Sequence, residues 1–363
     1  MSTDRLFEPL ALSRGPAMKN RFMLAPLTNR QSHDDGMLSE AEHRWLEMRA
    51  AGGFALTMTA AAHVQAVGQG FSGQLGAFDD AHVAGLTALA NAIRAHGSLS
   101  SLQLHHAGSR AEAAIVDAPV APSDVPDRGV RGLTEPEVEA LRDDFIAGAV
   151  RAERAGFDGV EIHGAHGYIL AEFLSAESNR REDRYGGSAE NRARILFEII
   201  DGIRAATRPD FQVGLRLSPE RFGLVLEEVR DVAAEILRQG KIDFLDMSLW
   251  DVRKEPEDEA LKGRSLLSYF AELPRGTVRM GAAGKIMTAA DALWVLEAGC
   301  DFAVIGRAAI LRHDFPERVR RDPAYRSPDL PASEPHLLGE GLSPTFIHYM
   351  RHWPGFVEEE SAA

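Results

Sequence analysis

The 363-residue sequence lacks the cysteines, the long apolar runs and the excess of basic residues on which several classes of protein depend. It contains one cysteine, Cys300, which excludes an internal disulfide framework, an all-cysteine zinc site and a cysteine-ligated iron–sulfur cluster. No stretch approaches the roughly 18 consecutive apolar residues of a membrane-spanning helix. The first residues, MSTDRLFEPL, lack the basic and apolar regions of a secretory signal. We therefore expect a cytoplasmic protein that does not associate with membranes.

Basic residues are too few for a nucleic-acid-binding protein. Forty Lys and Arg residues oppose 54 Asp and Glu residues, for a net charge of −14, whereas a phosphate backbone attracts a positive surface. The remaining composition, 45% hydrophobic and 26% charged, is that of an ordinary globular protein. We expect no nucleic-acid partner.

Short apolar runs alternate with longer amphipathic stretches, a pattern that predicts strand–helix units on a parallel sheet. The predicted strands are residues 21–27, 54–62, 100–106, 159–164, 212–218, 244–249, 277–283 and 302–307. The predicted helices are residues 39–51, 80–96, 134–155, 190–206, 226–239, 265–272 and 288–298. Eight such units close a barrel. No G-x-G-x-x-G turn joins an early predicted strand directly to a helix, as it does in an open dinucleotide-binding sheet. We therefore predict an α/β protein with a (β/α)8 TIM barrel.

The rest of the chain is predicted to surround this barrel. We expect a single domain over residues 1–363, with the barrel at about 20–320 and a C-terminal extension at about 323–363. Residues 107–133 and 251–264 are long polar loops, and we expect the first to lie over the barrel mouth as a lid. Two helix starts carry the pairs of a capping box: Ser39 with Glu42, and Thr134 with Glu137.

Polar residues at the ends of the predicted strands are the candidates for chemistry, because barrel enzymes place their active sites at the carboxyl ends of the strands. His163 lies at the end of the fourth predicted strand, and His166 follows it. They could hold one substrate oxygen, ligate a metal or only satisfy backbone carbonyls. Tyr168 carries a phenol that can deliver a proton at neutral pH, although a single tyrosine is more often a packing residue.

Charged and small residues on other strands suggest an anionic ligand. Arg216 lies in the middle of an apparently buried strand, where an arginine is costly unless it meets a bound anion or a structural acid. Gly284, Gly306 and Arg307 end the last two strands and favour a phosphate site, although the glycines could merely relieve crowding at tight turns. Cys300 is predicted to be a small core residue.

Several segments together resemble the Old Yellow Enzyme family of flavin-dependent ene-reductases. They are NRFMLAPLTN, SLQLHHAG, GFDGVEIHGAHGYILAEFLS, GLRLSP and FAVIGRAAI, and they run from about residue 6 to about residue 320 in the family's strand order. The third segment is the most specific. The resemblance implies a TIM barrel that holds non-covalent FMN and no metal. It further implies that NADH or NADPH reduces the flavin, and that the substrate is a small alkene activated by a carbonyl or nitro group.

The resemblance also assigns roles to individual residues. The positions implied to hold FMN are Ala25, Pro26, Leu27, Thr28, Ala61, Gln103, Arg216, Ala283, Gly284, Gly306 and Arg307. Among them, Gln103 matches the residue at the pyrimidine edge of the flavin, and Arg216 matches the arginine near N1. His163 and His166 match the pair that grips the electron-withdrawing group of the substrate, and Tyr168 matches the proton donor.

The sequence departs from the family in the loops that cover the pocket. The residues after Thr28 read Asn-Arg-Gln-Ser, and the loop after the sixth strand begins Leu-Trp-Asp, with Trp250 expected to wall the substrate pocket. Some relatives complete their sites with the C-terminus of a neighbouring subunit. By that resemblance we expect a homo-oligomer in which the C-terminal stretch around Tyr349, Arg351 and Trp353 reaches a neighbouring subunit's pocket.

Two other functions remain open from the sequence. One is a metal-dependent barrel hydrolase that uses His163 and His166 as ligands, although no paired-carboxylate signature accompanies them. The other is a catalytically silent flavin-binding protein that has kept the barrel.

Overall fold

The computed structural model describes residues 3–359, in which eight parallel strands close into a barrel. The barrel strands β1 to β8 are Phe22–Leu24, Leu56–His63, Leu99–His105, Gly159–Gly164, Gln212–Leu217, Phe244–Ser248, Arg279–Ala283 and Phe302–Ile305. Strand β1 pairs with both β8 and β2, so the sheet has no free edge. The predicted (β/α)8 barrel is confirmed, and every predicted strand is present, several with shorter bounds.

Helices surround the barrel and continue into the C-terminal extension. In the described part of the chain, α1 to α12 are Glu40–Ala51, Val83–Ala95, Glu135–Arg154, Ile169–Leu174, Ala189–Ala206, Leu226–Gln239, Ser268–Ala271, Ala289–Glu297, Arg307–Leu311, Phe315–Arg321, Glu334–Gly339 and Pro344–Met350. All seven predicted helices are found. The periodicity of the sequence did not predict α4, α9 and α10, which are short, or α11 and α12 in the extension. Residues 1–2 and 360–363 of the predicted domain lie outside the described residues.

The two predicted capping boxes have different outcomes. At the start of α3 the Glu137 carboxylate accepts a hydrogen bond from the Thr134 N–H at 2.7 Å, and the box is present. At the start of α1 the Ser39 hydroxyl accepts a hydrogen bond from the Glu42 N–H at 3.1 Å. Among the described residues, the second bond of a capping box, from the Ser39 N–H to the Glu42 carboxyl, is missing. The prediction of a full box was wrong there, because the buried Glu42 carboxyl instead accepts hydrogen bonds from Asn29 and Ser32 in the loop after β1.

Apolar side chains fill the lower half of the barrel. The rings of Phe244 and Phe302 meet edge to face with centroids 6.0 Å apart. Gly214 makes room for this contact, since a Cβ there would overlap the Phe244 ring. Cys300 is buried in the core, as predicted, and burial raises the pKa of its thiol to about 12, so the thiolate is not formed at neutral pH.

The lid loop and the C-terminal extension both lie near the barrel mouth. Residues 107–133 contain two paired dipeptide strands, Val120–Ala121 and Arg131–Gly132, and the Arg110 guanidinium lies 5.4 Å from the Tyr168 ring centroid. The extension is anchored on α1: the rings of Trp45 and Phe346 are 5.5 Å apart. Across residues 3–359, none of the helices is long and apolar enough to cross a bilayer.

Candidate active site

The end of β4 and the loop after it bring three predicted catalytic residues together. The ring centroid of His163 lies 5.1 Å from that of His166 and 5.3 Å from that of Tyr168. His166 has φ of 61°, a left-handed conformation that costs energy in a residue other than glycine. Its N–H donates to the Ser218 hydroxyl at 3.0 Å, which helps to stabilise this turn. The strained turn places both imidazoles and the phenol beside one another at the mouth.

The two histidines form a hydrogen-bonded chain. His163 Nδ1 accepts from the Ala165 N–H at 3.4 Å, so the proton of His163 is on Nε2, which lies 3.1 Å from His166 Nδ1. His166 Nε2 then donates to the Ser248 hydroxyl at 2.7 Å. Each imidazole therefore has one N–H, and an acceptor that enters the site must replace a neighbour already bonded to it.

Both histidines are uncharged at neutral pH. Burial lowers the pKa of His166 to about 3, and the positive charges of Arg216 and Arg110 act in the same direction. The pKa of His163 also lies well below its ordinary value, first through burial and then through His166 and Arg216. The pair can donate hydrogen bonds to a substrate, but it cannot supply a positive charge.

Tyr168 is buried, and this burial keeps its phenol protonated at neutral pH. Burial raises its pKa, while the charges of Arg110 and Arg30 act in the opposite direction. The ring of His105 meets it edge-on at 4.4 Å, and His105 Nδ1 lies 3.0 Å from Gln74 Nε2. The structure thus places His105, the last residue of β3, against Tyr168. Gln74 was missed, because only the fold brings it to His105.

Arg216 is paired with a buried carboxylate, Asp246, and in the described residues it still has a guanidinium N–H without a hydrogen-bond partner. Its Nε lies 3.4 Å from the Asp246 carboxylate, and Nη2 donates to the Ser248 hydroxyl at 3.2 Å. Nη1 is buried and has no hydrogen-bond partner within residues 3–359. An unpaired buried guanidinium N–H is costly, so the geometry leaves a donor for an acceptor on a ligand. Asp246 and Ser248 were missed, although polar residues at alternate positions of an apolar strand are a readable signal.

A second buried carboxyl, Glu161, lies beside this ion pair. Its Oε2 accepts from Gln103 Nε2 at 2.6 Å. Burial raises the pKa of Glu161 to about 8, the charge of Asp246 acts in the same direction, and Arg216 opposes both. Because Asp246 is the carboxylate in contact with Arg216, we assign the proton to Glu161. The cluster therefore carries about one negative and one positive charge at neutral pH.

Several residues assigned to the flavin by resemblance line one cavity of about 360 Å³. They are Pro26, Leu27, Thr28 and Arg307. Trp250 lines this cavity and a smaller one beside His166, but not the cleft that contains Tyr168. Trp250 is 56% exposed, and its ring lies 6.3 Å from that of Trp353.

The remaining assigned positions lie on the same end of the barrel. Ala61 is the partly exposed member of the run 60–62, which distinguishes it from its two neighbours. Gly284 has φ of 153°, and a Cβ there would come within 2.7 Å of the Asp251 backbone nitrogen. Gly306 lies beside Ala25, since a Cβ added to the glycine would be 3.7 Å from the alanine methyl. Ala283 ends β7, where its carbonyl accepts from the Leu249 N–H at 2.9 Å.

A second cleft of about 190 Å³ opens beside Tyr168, and we call it the Tyr168 cleft. Its lining includes Thr28, Arg30, Phe71, Arg110, Tyr168 and Tyr349. Thr28 and Tyr349 also line the larger cavity, so the two spaces adjoin. Tyr349 and Trp353 thus lie at the mouth of their own barrel. That they reach a partner subunit, and that the protein is a homo-oligomer, stay predictions.

The structure offers no ligand set for the metal-hydrolase alternative. In the described residues there is no group of three or more His, Cys, Asp or Glu side chains that could hold a metal ion. His163 and His166 are bonded to each other and to Ser248 instead.

Comparisons with known proteins agree with this geometry. A model of the NADH:flavin oxidoreductase / NADH oxidase family matches residues 5–324. The probable NADH-dependent flavin oxidoreductase YqiG of Bacillus subtilis (strain 168) is 37% identical over 327 residues, which cover 87% of each chain. An NADPH dehydrogenase of Bacillus licheniformis is 36% identical over 87% of this chain and 93% of the relative. Morphinone reductase in complex with tetrahydroNAD is a solved structure with a TM-score of 0.77 and 28% identity, covering 92% of this chain and 93% of its own. The Old Yellow Enzyme homologue from Zymomonas mobilis has a TM-score of 0.77 at 27% identity, covering 88% and 94%.

Proposed function

Because the chain belongs to the NADH:flavin oxidoreductase / NADH oxidase family, which includes the Old Yellow Enzymes, we propose that it reduces alkenes activated by a carbonyl or nitro group. Its cofactor is FMN, and NADH or NADPH is its reductant. The reductant and the alkene occupy the same pocket in turn, which makes the reaction ping-pong.

The residues at the barrel mouth fit FMN. Within residues 3–359, the Nη1 of Arg216 is buried and has no hydrogen-bond partner, so it would donate to the electron-rich edge of the flavin, and Gln103 would bond its pyrimidine edge. Ala25, Pro26, Leu27, Thr28 and Ala61 would line the ring system. Ala283, Gly284, Gly306 and Arg307 would hold the phosphate, where glycine backbones allow a close approach. When bound, FMN supplies the centre that accepts a hydride from the nicotinamide and donates one to the alkene.

The protein's own contribution is orientation and a proton. His163 and His166, both neutral, donate hydrogen bonds to the carbonyl or nitro oxygen and withdraw electron density from the double bond. The β-carbon receives the hydride, and the Tyr168 hydroxyl delivers a proton to the α-carbon. The raised pKa of Tyr168 keeps that proton in place at neutral pH. Trp250, at the edge of the larger cavity, walls the entrance.

The observation that carries this proposal is the convergence of His163, His166 and Tyr168 beside the cavity that contains Thr28 and Arg307. Tyr168→Phe removes only the donated proton. We expect alkene reduction to slow by roughly 10²–10⁴-fold, while flavin reduction by NAD(P)H changes little. Stopped-flow measurement of the two half-reactions tests this.

Tyr325→Phe is the matched control, since Tyr325 packs against Phe315, with ring centroids 5.6 Å apart, away from the mouth. Unchanged alkene reduction in Tyr168→Phe would remove Tyr168 as the proton donor. A yellow protein whose absorption never bleaches with NADH or NADPH under anaerobic conditions would favour the catalytically silent alternative.

A further inference from the structure

The loop after β1 places an arginine in the Tyr168 cleft by a strained but well-anchored turn. Arg30 has φ of 56°, a conformation that an arginine adopts only when its surroundings impose it. Asn29 donates to the buried Glu42 carboxyl at 3.0 Å, and the Asn29 side chain accepts from the Gln31 N–H at 2.9 Å. The Gln31 side chain accepts in turn from the Ser343 N–H at 3.1 Å. Hydrogen bonds thus fix the backbone on both sides of Arg30, and this fixes the direction in which its side chain enters the Tyr168 cleft.

The Arg30 guanidinium is stacked and incompletely bonded. It lies 5.4 Å from the ring centroids of both Phe71 and Tyr349. One Nη donates to the exposed carboxylate of Glu112 at 2.9 Å. Its Nε is buried and has no hydrogen-bond partner in the described stretch of chain, 3–359. A fixed guanidinium with an unsatisfied donor matches the planar oxygens of a carboxylate or phosphate.

A second guanidinium faces the same space. Arg110 donates to the His166 carbonyl at 2.7 Å and lies 5.4 Å from the Tyr168 ring centroid. Two fixed positive charges and the single exposed carboxylate of Glu112 therefore line the Tyr168 cleft. This local excess of positive charge contrasts with the net charge of −14 for the whole chain. It lies beside the phenol that we assign as proton donor.

We propose that Arg30, supported by Arg110, forms an anion-binding subsite in the Tyr168 cleft that recognises a negatively charged oxygen group on a reactant. The group is either a carboxylate on the alkene or a phosphate of the nicotinamide dinucleotide, since both reactants use this mouth. The inference rests on the proposed ene-reductase activity for its choice of reactants. The anion-binding geometry depends only on the positions of the Arg30 and Arg110 guanidinium groups.

Binding of non-reactive probes separates the subsite from the chemistry. Levulinate and methyl levulinate are saturated ketones that differ by one negative charge, and neither has the C=C bond that accepts a hydride in the proposed reaction. Isothermal titration of the FMN-loaded protein should show that Arg30→Met weakens levulinate binding roughly tenfold, with methyl levulinate changed by less than about twofold. Arg30→Lys should recover part of the lost levulinate affinity, because lysine keeps the positive charge but not the two parallel N–H donors of a guanidinium. Arg44→Met, which removes an exposed arginine from α1, should change neither.

The same variants identify the source of the anionic group. If Arg30→Met weakens NADH or NADPH in the flavin-reduction half-reaction and leaves levulinate unchanged, the subsite binds the dinucleotide phosphate. Equal weakening of levulinate and its methyl ester, with unchanged dinucleotide affinity, overturns the subsite. If the wild type reduces neither β-acetylacrylate nor its methyl ester, the ene-reductase proposal is refuted. The levulinate titrations would still show whether Arg30 binds an anionic group.

Discussion

Two buried carboxyls, Asp246 in contact with Arg216 and Glu161 close enough to feel its charge, lie beneath the barrel mouth, and this arrangement predicts a specific non-additivity. Asp246 contacts Arg216 at 3.4 Å, while Glu161, with a pKa of about 8, holds the proton at pH 7. Burial is the main cause of the raised pKa of Glu161, and Asp246→Asn removes the second cause, the neighbouring negative charge, while the opposing charge of Arg216 remains. A fall of little more than one pKa unit, worth about 1.4 kcal/mol, then lets Glu161 ionise and replace the lost partner.

The magnitudes follow from this exchange. Asp246→Asn should lower the free energy of unfolding by about 1–2 kcal/mol. Glu161→Gln should not lower it at pH 7, because a glutamine does not have to take up a proton on folding. The double variant leaves Arg216 buried without a counter-charge, which costs roughly 3–5 kcal/mol. The double variant should therefore lose at least about 2 kcal/mol more than the sum of the single variants, within the usual range for residues that share a partner.

Urea unfolding of the flavin-free protein at pH 7, followed by tryptophan fluorescence, measures these values. Asp243 supplies a control: it is equally buried but pairs with Arg14 and Arg204 at a different place in the barrel. Asp243→Asn combined with Glu161→Gln should be additive. Additivity within about 0.5 kcal/mol for the Asp246 pair as well would refute the shared-proton arrangement.

The pH dependence has a definite sign. The folded-state pKa of Glu161 is raised above its unfolded value, so its contribution to stability is complete below about pH 4.5 and is lost as the pH rises towards 8. The Glu161→Gln variant lacks this loss. Its free energy of unfolding should therefore increase relative to the wild type between pH 5 and pH 8, and a constant difference would contradict the assignment.

Two further predictions concern the histidine pair and a glycine at the end of α1. Because burial keeps His163 and His166 neutral, the rate of alkene reduction in stopped-flow experiments should be flat between about pH 5.5 and 7.5; an inflection near 6.5 would show that one of them titrates normally. Gly52→Ala should destabilise the fold by about 1–3 kcal/mol in thermal or urea unfolding, because the added Cβ would overlap the His313 carbonyl. Gly339→Ala, on a helix with open space around the new Cβ, should be neutral or slightly stabilising, and equal losses in the two variants would contradict the steric reasoning.

Much of the architecture was readable from periodicity and from strand ends. Eight apolar runs at βα spacing predicted the closed barrel, because buried parallel strands read as continuous hydrophobic segments. Barrel chemistry gathers where strands end, so His163, His166, Tyr168 and Arg216 could be singled out before their neighbours were known. The predicted capping box at Ser39 shows the limit of local patterns, since Glu42 is used by a distant loop instead.

The sequence alone determined the barrel, the side of it that carries the chemistry, and the residues expected to hold FMN. Only the tertiary structure decided what surrounds them: Asp246 and Glu161 around Arg216, Gln74 and His105 behind Tyr168, and Arg30 between Phe71 and Tyr349. The physical reason is that strand and helix periods depend on neighbours along the chain. The charge state and partners of a buried group depend on residues that are far apart in sequence and meet only when the barrel closes.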